Sequence, residues 1–345
     1  MYFSRTLKPN YHVNHYLREN LENKLNGLTR ILGKHGNFNR IEFGNALWIS
    51  VLRPTIAHCC STWIPSSQTQ RDLLQSLQYR AAKIILRTKM NIPIGALLLE
   101  LGWEPINDFL DRQRTSYFLR MSGLDNSRLC KIVFDELHGK NLPEWPFFNH
   151  MKHLFELIGL DHFITGNFSL SIFNKFFGAN VRTRVFDMIR SKPSLQFYSY
   201  FNVTHGTQKY LLNLSDFKSS RLKLLARTNC LPINAVLARM HLRPNSVCEA
   251  CHGIAVEDTD HILFECSAYA SIRNELFSKI FLLFEKENIS LDFVGLSPFD
   301  KKLLLIGDLG YMYTDDVGTA IDNLCKIFLH DVFIRRAHVT ETNTF

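Results

Sequence analysis

The sequence predicts a mainly α-helical chain that holds one small metal-stapled module. Three observations predict it. Apolar residues recur at three- and four-residue spacing over long stretches, and strand-like alternation is confined to SLQFYSYFNV at 194–203. The third is the stretch CEACHGIAVEDTDHILFEC at 248–266, with its ligand-type spacing C-x2-C-x9-H-x4-C. At 345 residues, 46% of them hydrophobic, the chain can bury more than one core, and its length suggests two or three domains.

The helices follow in order. Leu17, Leu21, Leu25, Leu28 and Leu32 share one face over 13–32, with Arg18, Lys24 and Arg30 off it. The apolar stretch 41–64 contains Pro54, which lacks an N–H and must end or kink a helix. Ser66 and Ser67 offer an N-cap to the next helix, SSQTQRDLLQSLQYRAAKIILRTK, with Leu73, Leu77, Ala81, Ile84 and Ile85 as its buried face. Arg80, Lys83 and Arg87 form a basic row along it. Another helix, over about 106–122, carries Arg112, Arg114 and Arg120, and GKNLPEWPFFN at 139–149 reads as a linker. Phenylalanine is dense from 150 to 201, including Phe163, Phe168, Phe173 and Phe177.

Charge is segregated along the chain. Lys and Arg outnumber Asp and Glu by 19 to 12 in residues 1–150 and by 13 to 4 in 151–245, whereas 246–345 reverse this at 8 to 16. The basic part suits a polyanionic partner. Two sets of residues are candidates for phosphate contact. One is Arg80, Lys83 and Arg87; the other, denser set is Arg182, Arg184, Arg190, Arg221, Lys223, Arg227, Arg239 and Arg243, with Lys192 and Lys218 between them. Such contacts give affinity with little base readout.

The eight cysteines are scattered apart from the cluster, which fits reduced thiols better than a disulfide framework. No apolar run approaches the roughly 20 residues that span a bilayer, and MYFSRTLKPNYH has no signal-peptide core. The expectation is an intracellular chain, nuclear or cytoplasmic, with no membrane partner. No Gly-rich phosphate loop, G-x-S-x-G or H-E-x-x-H occurs, and no small-molecule substrate is expected.

The cluster itself supplies Cys248, Cys251, His261 and Cys266, four ligands of the type and spacing zinc takes in a tetrahedron. Gly253 allows a turn between the pairs, Asp258 and Thr259 can cap a short helix, and Ile262, Leu263 and Phe264 would pack beneath the ion. His252 directly follows Cys251, and adjacent residues rarely both reach one metal. A filled Cys₃His set leaves no open position, so the role expected of Zn²⁺ is structural, with Asp260 or Glu257 available to the free imidazole N–H. Two other patterns mislead. Tyr313-Thr314-Asp315-Asp316 has the Y-x-D-D form of polymerase metal sites, but a helical pattern follows it, so an aspartate is expected to cap that helix. His58-Cys59-Cys60 continues an apolar stretch, and core thiols are expected there rather than a catalytic dyad.

These residues together bear a resemblance. ISVLRPTIAHCCSTW, LQSLQYRAAKIILRT and ALLLELGWEPI are similar to the segment after the polymerase core of jockey-like, non-LTR retrotransposon reverse transcriptases. Pro54, Trp63, Leu74, Gln78, Ile85, Glu100, Leu101, Gly102 and Pro105 match, while Cys59-Cys60 stand where Tyr-Gly is frequent. KPSLQFYSYF, RLKLLARTNCLPINAVLARM and HILFECSAYASIRNELF resemble the zinc-binding domain at the C-terminus of the same elements. Arg227, Cys248, Cys251, Asp258-Thr259, His261, Cys266 and Arg273 match, with Asp258 for the more frequent Glu. The resemblance implies a thumb-like helical region over 1–138, a linker at 139–149, a Phe-rich basic connection over 150–225, a reverse-transcriptase zinc-binding domain over 226–285 and C-terminal helices over 286–345. It also implies that the palm aspartates of the RNA-directed DNA polymerase lie upstream of this region. The expected function is therefore a non-catalytic fragment that binds RNA or DNA through basic helices ordered by zinc. The alternatives are part of an active polymerase, and a scaffold or pseudogene product that ignores nucleic acid.

Overall fold

The computed structural model describes residues 12–33, 39–140, 146–160, 169–201, 206–212, 217–251 and 255–340. Among them the chain is mostly helical and contains no strand; an isolated antiparallel bridge joins Val247 and Val256. The α-helices are α1 (Arg18–Gly33), α2 (Arg40–Leu47), α3 (Arg53–Ala57), α4 (Gln68–Ile85) and α5 (Ile94–Leu101). Next come α6 (Ile106–Ser122), α7 (Leu129–Lys140), α8 (Phe147–Leu157), α9 (Leu170–Arg190) and α10 (Lys209–Leu212). The last are α11 (Phe217–Arg227), α12 (Asn234–Arg239), α13 (Ala270–Lys286), α14 (Pro298–Leu305) and α15 (Asp315–Thr340). Two compact units form: Met1–Ile85 with Glu104–Asp187, and Leu86–Trp103 with Met188–Phe345. The second unit thus takes α5 out of the middle of the first, a crossing that no composition shift marks.

In the first unit the leucine stripe of α1 is fully buried, as its spacing requires. Arg40, at the start of α2, donates to the carbonyls of Ile84 (2.6 Å) and Ile85 (2.9 Å) and to that of Leu32, closing the ends of α4 and α1 together. Pro54 does not end the helical path: the backbone stays right-handed helical through a wide turn over Trp48–Leu52, and α3 takes the proline in its first turn, where its missing N–H is tolerated. On α4 the buried face is rotated from expectation. Leu74, Leu77, Ala81, Ala82 and Ile85 are buried, whereas Leu73 and Ile84 are only half-buried. The cause is Gln78, fully buried at the centre of that face. Its Nε2 donates to Glu104 O (2.8 Å) and its Oε1 accepts from Ile106 N (2.9 Å), so one carboxamide caps the start of α6.

Arg114 of α6 is buried as well. It donates to Asp111 (2.7 Å) and to the carbonyls of Cys60 (3.0 Å) and Trp63 (3.1 Å), which fixes the loop after α3. Asp111 also meets His150 Nε2 of α8 at 2.7 Å. The phenylalanines pack Phe118 against Phe134, Phe147, Phe148 and Phe155, and Phe155 against Phe173. Phe163 and Phe168 lie outside the described residues, as do residues 141–145 of the expected linker.

The second unit is arranged along α15, which packs against α10, α11, α13 and α14. Where the sequence shows its best strand-like alternation, the described residues form no strand: Pro193–Leu195 and Phe197–Tyr200 are helical turns. What reads as alternation places Leu195, Tyr198 and Phe201 inward at three-residue spacing. At the core Arg227 is fully buried. It donates to Glu100 of α5 (2.8 Å), to Asp308 (2.9 Å) and to Ile306 O (2.8 Å), and its guanidinium lies 4.3 Å from the Phe201 ring centroid. Glu100 also accepts from Tyr210 Oη at 2.8 Å. Burial first, then the Glu100 charge, pushes the Tyr210 phenol well above its ordinary value and keeps it a donor. Lys223, one helical turn before Arg227, is buried against Asp322 and the Leu305 carbonyl. Gly102 ends α5 at φ +68°, where Gly206 would lie 2.3 Å from any Cβ, so only glycine fits this approach.

Two stability measurements check these cores. Arg227→Ala strands the fully buried Glu100 carboxylate and takes a partner from Asp308, and should cost about 3–5 kcal/mol in urea unfolding. For Asp111, burial acts upward, but His150 and Arg114 outweigh it and hold the carboxyl below the usual range. Its contribution is therefore present above about pH 4 and lost as pH falls through the lowered value. The stability gap between the wild type and Asp111→Asn should accordingly be wide at neutral pH and shrink in acid.

Candidate metal centre

Backbone pairing brings the first two ligands into place. Cys248 N donates to Ala255 O (2.8 Å) and Glu257 N to Ser246 O (2.7 Å), so the arms around 247 and 256 lie antiparallel. Cys251 stands at the turn; His252 and Gly253 lie outside the described residues. The other two ligands depend on a cap. Asp258 Oδ1 accepts from His261 N (2.8 Å) and starts the helical turn His261–Glu265, as expected. Cys266 N donates back to His261 O (2.7 Å), and Arg273 of α13 holds the Cys266 carbonyl at 3.0 Å. Ile262 and Leu263 are fully buried below, with Phe264 half-buried.

The four ligand atoms lie within 4.8 Å of one another. Cys248 Sγ is 3.9 Å from Cys266 Sγ, and Cys251 Sγ is 3.4 Å from His261 Nε2. Metal–sulfur bonds of about 2.3 Å in a tetrahedron separate the sulfurs by roughly 3.8 Å, so the residues fit a four-coordinate ion. The sulfurs are far too distant for a disulfide, and all eight cysteines are free. Burial pushes the Cys248 thiol up to about 12 and also raises Cys266. Without a cation these thiols keep their protons, and metal binding must release them.

The carboxylates around the centre differ from expectation. Neither Asp260 nor Glu257 serves the imidazole. Asp260 pairs with Lys302 of α14 (2.7 Å). Glu257 is buried, accepting from Arg336 of α15 (2.8 Å) and from Asn234 N at the start of α12 (2.7 Å). The carboxylate facing His261 Nδ1 is Glu265, at 3.5 Å, too long for a good hydrogen bond. Glu249 meets Arg243 at 3.3 Å. Cations from elsewhere in the unit therefore neutralise a loop that looks purely acidic in sequence. Sequence reading missed Arg336 and Lys302 because their partners lie far along the chain.

The predicted basic residues have different surroundings. Lys223 and Arg227 are buried in ion pairs and have nothing to offer a phosphate; their helical spacing placed them on the core side of α11. Arg80 is exposed but meets Glu22 at 3.4 Å, and Lys83 is half-buried against Tyr79. Arg87 falls beyond the end of α4 at φ +45°, which breaks the expected row. Arg184 is held by Asp108 (2.6 Å), Arg221 by the Arg87 carbonyl (3.1 Å) and Arg243 by Glu249. Arg182, Arg190 and Arg239 are exposed.

The Y-x-D-D pattern belongs to a helix start, with Asp315 and Asp316 in the first turn of α15. The cap is Thr314, whose Oγ1 accepts from Val317 N at 3.1 Å, rather than either aspartate, and Asp315 pairs with Lys209 (2.6 Å). Of the adjacent thiols Cys60 is buried as expected. Cys59 is exposed, because α3 ends at Ala57 and Cys59 turns left-handed at φ 53°.

No family model, no curated protein and no solved structure matches this chain. The site predicts its own chemistry: cobalt added to the reduced, metal-free protein should give the visible absorption of a tetrahedral thiolate complex at one equivalent. Cys248→Ser should abolish that spectrum and loosen the segment around the centre, which proteolysis would read out.

Proposed function

We propose that the ion is zinc, that its role is structural, and that the chain is a non-catalytic nucleic-acid-binding piece related to the C-terminal region of non-LTR retrotransposon reverse transcriptases. The observation that carries this is the closed set Cys248, Cys251, His261 and Cys266, whose four donor atoms gather around one point. Three thiolates and an imidazole suit zinc's preference for soft, tetrahedral surroundings, and with four protein ligands no position remains for a reacting water. Structural zinc supplies roughly 10–16 kcal/mol of apparent binding energy in small modules, enough to set the order of this loop and of the helices tied to it by Glu257 and Arg273.

The partner proposed is RNA or DNA, held mainly through its phosphates by cations that the fold leaves exposed, Arg182, Arg190 and Arg239 among them. The motif resemblance at Gln78, Glu100, Gly102, Arg227 and the ligand cluster supports the family reading. Helix-start geometry at Asp315 and its pairing with Lys209 weigh against an active polymerase site in this chain. A second reading, a protein scaffold, is favoured by α7, which exposes Leu129, Ile132 and Val133 on one helix.

Zinc near one equivalent by elemental analysis, displacing cobalt with loss of its colour, is the result expected for the metal. For the partner, affinity for RNA or DNA should fall steeply between about 50 and 200 mM salt, and Arg182→Ala should reduce the salt slope by about one. A purified, zinc-loaded chain that ignores both nucleic acids at low salt would sink the binding reading in favour of the scaffold.

A further inference from the structure

The second unit contains two adjoining hollows, of about 560 and 330 Å³, that share Pro193, Ser194 and Asn229 in their walls. Together they make one trough, within the size range of sites that hold small organic groups. Its two halves have different chemistry.

The smaller half presents aromatic faces. Tyr200 and Phe299 stand edge to face with centroids 5.0 Å apart, and they are 59% and 42% exposed. Large rings left this open serve no core. Lys302 also lines this half, but its ammonium is spent on Asp260, so no net cation remains there. Thr259 closes the end nearest the metal loop. The residue is 4% exposed, and its Oγ1 is buried without a hydrogen-bond partner. Buried hydroxyls are ordinarily satisfied, so an orphan in a cavity wall points to a ligand atom that belongs beside it.

The larger half is walled mainly by Met90, Pro93, Pro193, Cys230, Val236 and Met240, and one cation stands among them. Arg239 lines it, exposed yet positioned by a 3.0 Å hydrogen bond to the Asn229 carbonyl, which leaves its other N–H groups available. Lys192 directly precedes the lining residue Pro193 in the chain, exposed and with no ion-pair partner among the described residues. No carboxylate lines this half. The Asn229 and Ser194 side chains on the shared wall also make no hydrogen bond among the described residues.

Open aromatic faces beside an uncompensated arginine, with amide and hydroxyl groups between them, are the pattern that binds single-stranded nucleic acid. A duplex cannot present an unstacked base to Tyr200. We propose that this trough binds one or two nucleotides of a single strand, with a base stacked on Tyr200 and the adjoining phosphate held by Arg239 and Lys192. The inference rests on the nucleic-acid reading given above and narrows it to one site and one strand form. RNA and DNA share the chemistry involved, and the Asn229 side chain on the shared wall has no hydrogen-bond partner of its own among the described residues.

The test uses the full zinc-loaded chain with labelled oligouridine, oligothymidine and a DNA duplex, read by fluorescence anisotropy at low salt. Tyr200 is exposed, so Tyr200→Ala should fold as the wild type does, which its melting curve verifies. It should weaken single-strand binding by roughly 5- to 150-fold, the range for one stacked base, and leave duplex binding unchanged. Tyr200→Phe keeps the ring and should restore affinity. Arg239→Gln should reduce the salt slope by about one. The relative affinities for oligouridine and oligothymidine assign the natural strand. Wild-type affinity in Tyr200→Ala overturns the trough while leaving the nucleic-acid reading intact. Absence of salt-dependent binding by the wild type overturns that reading and the trough with it.

Discussion

The second unit depends on a guanidinium with no access to water. Arg227 reaches Glu100 on α5 and, just after α14, Asp308 and the Ile306 carbonyl, so one side chain ties two remote stretches of chain to α11. A buried charge is tolerated only when its donors are met, and here two carboxylates and a carbonyl meet them. Tyr210 hydrogen-bonds Glu100, and the Phe201 ring covers the guanidinium. Gly102 lets the chain leave this core under Gly206. The core has a direct bearing on the site proposed for binding, since Arg227 lies behind the wall of the smaller hollow and Asn229 follows at the turn that ends α11.

The metal loop is tied in by a second buried carboxylate. Glu257 meets Arg336 from α15 and the amide at the start of α12, while Asp258 caps the turn that carries His261. The ligand set and the surrounding helices therefore order one another. The same pairings change the electrostatics of the loop. Glu249, Glu257 and Asp260 are matched by Arg243, Arg336 and Lys302, so the loop repels a phosphate less than its composition implies.

Local readings succeeded where the cause was local. The leucine stripe of α1, the span of α6, the cap at Asp258 and the gathering of the Cys₃His cluster all follow from spacing of a few residues. Other readings failed because a distant partner decided the outcome. The face of α4 turned so that Gln78 could cap α6, Lys223 and Arg227 went inward to meet Asp322, Glu100 and Asp308, and Glu265 replaced Asp260 and Glu257 beside the imidazole. The apparent strand at 194–203 was a helical-turn pattern of inward residues.

By itself the sequence determined the helical class, the positions of α1, α4 and α6 and the four residues that gather into the Cys₃His cluster. Periodicity, capping and ligand spacing act over one or two turns of chain, so they are written in neighbouring residues. Only the tertiary structure decided which arginines and lysines face water and which are consumed in the core. It also gathered Tyr200, Asn229, Arg239 and Phe299 around one trough. Whether a charge is buried or free depends on partners about a hundred residues away, as for Arg227 with Glu100 and Lys223 with Asp322. No local pattern records such a pairing, because the energy of a buried ion pair is set by the geometry of approach and not by the order of residues along the chain.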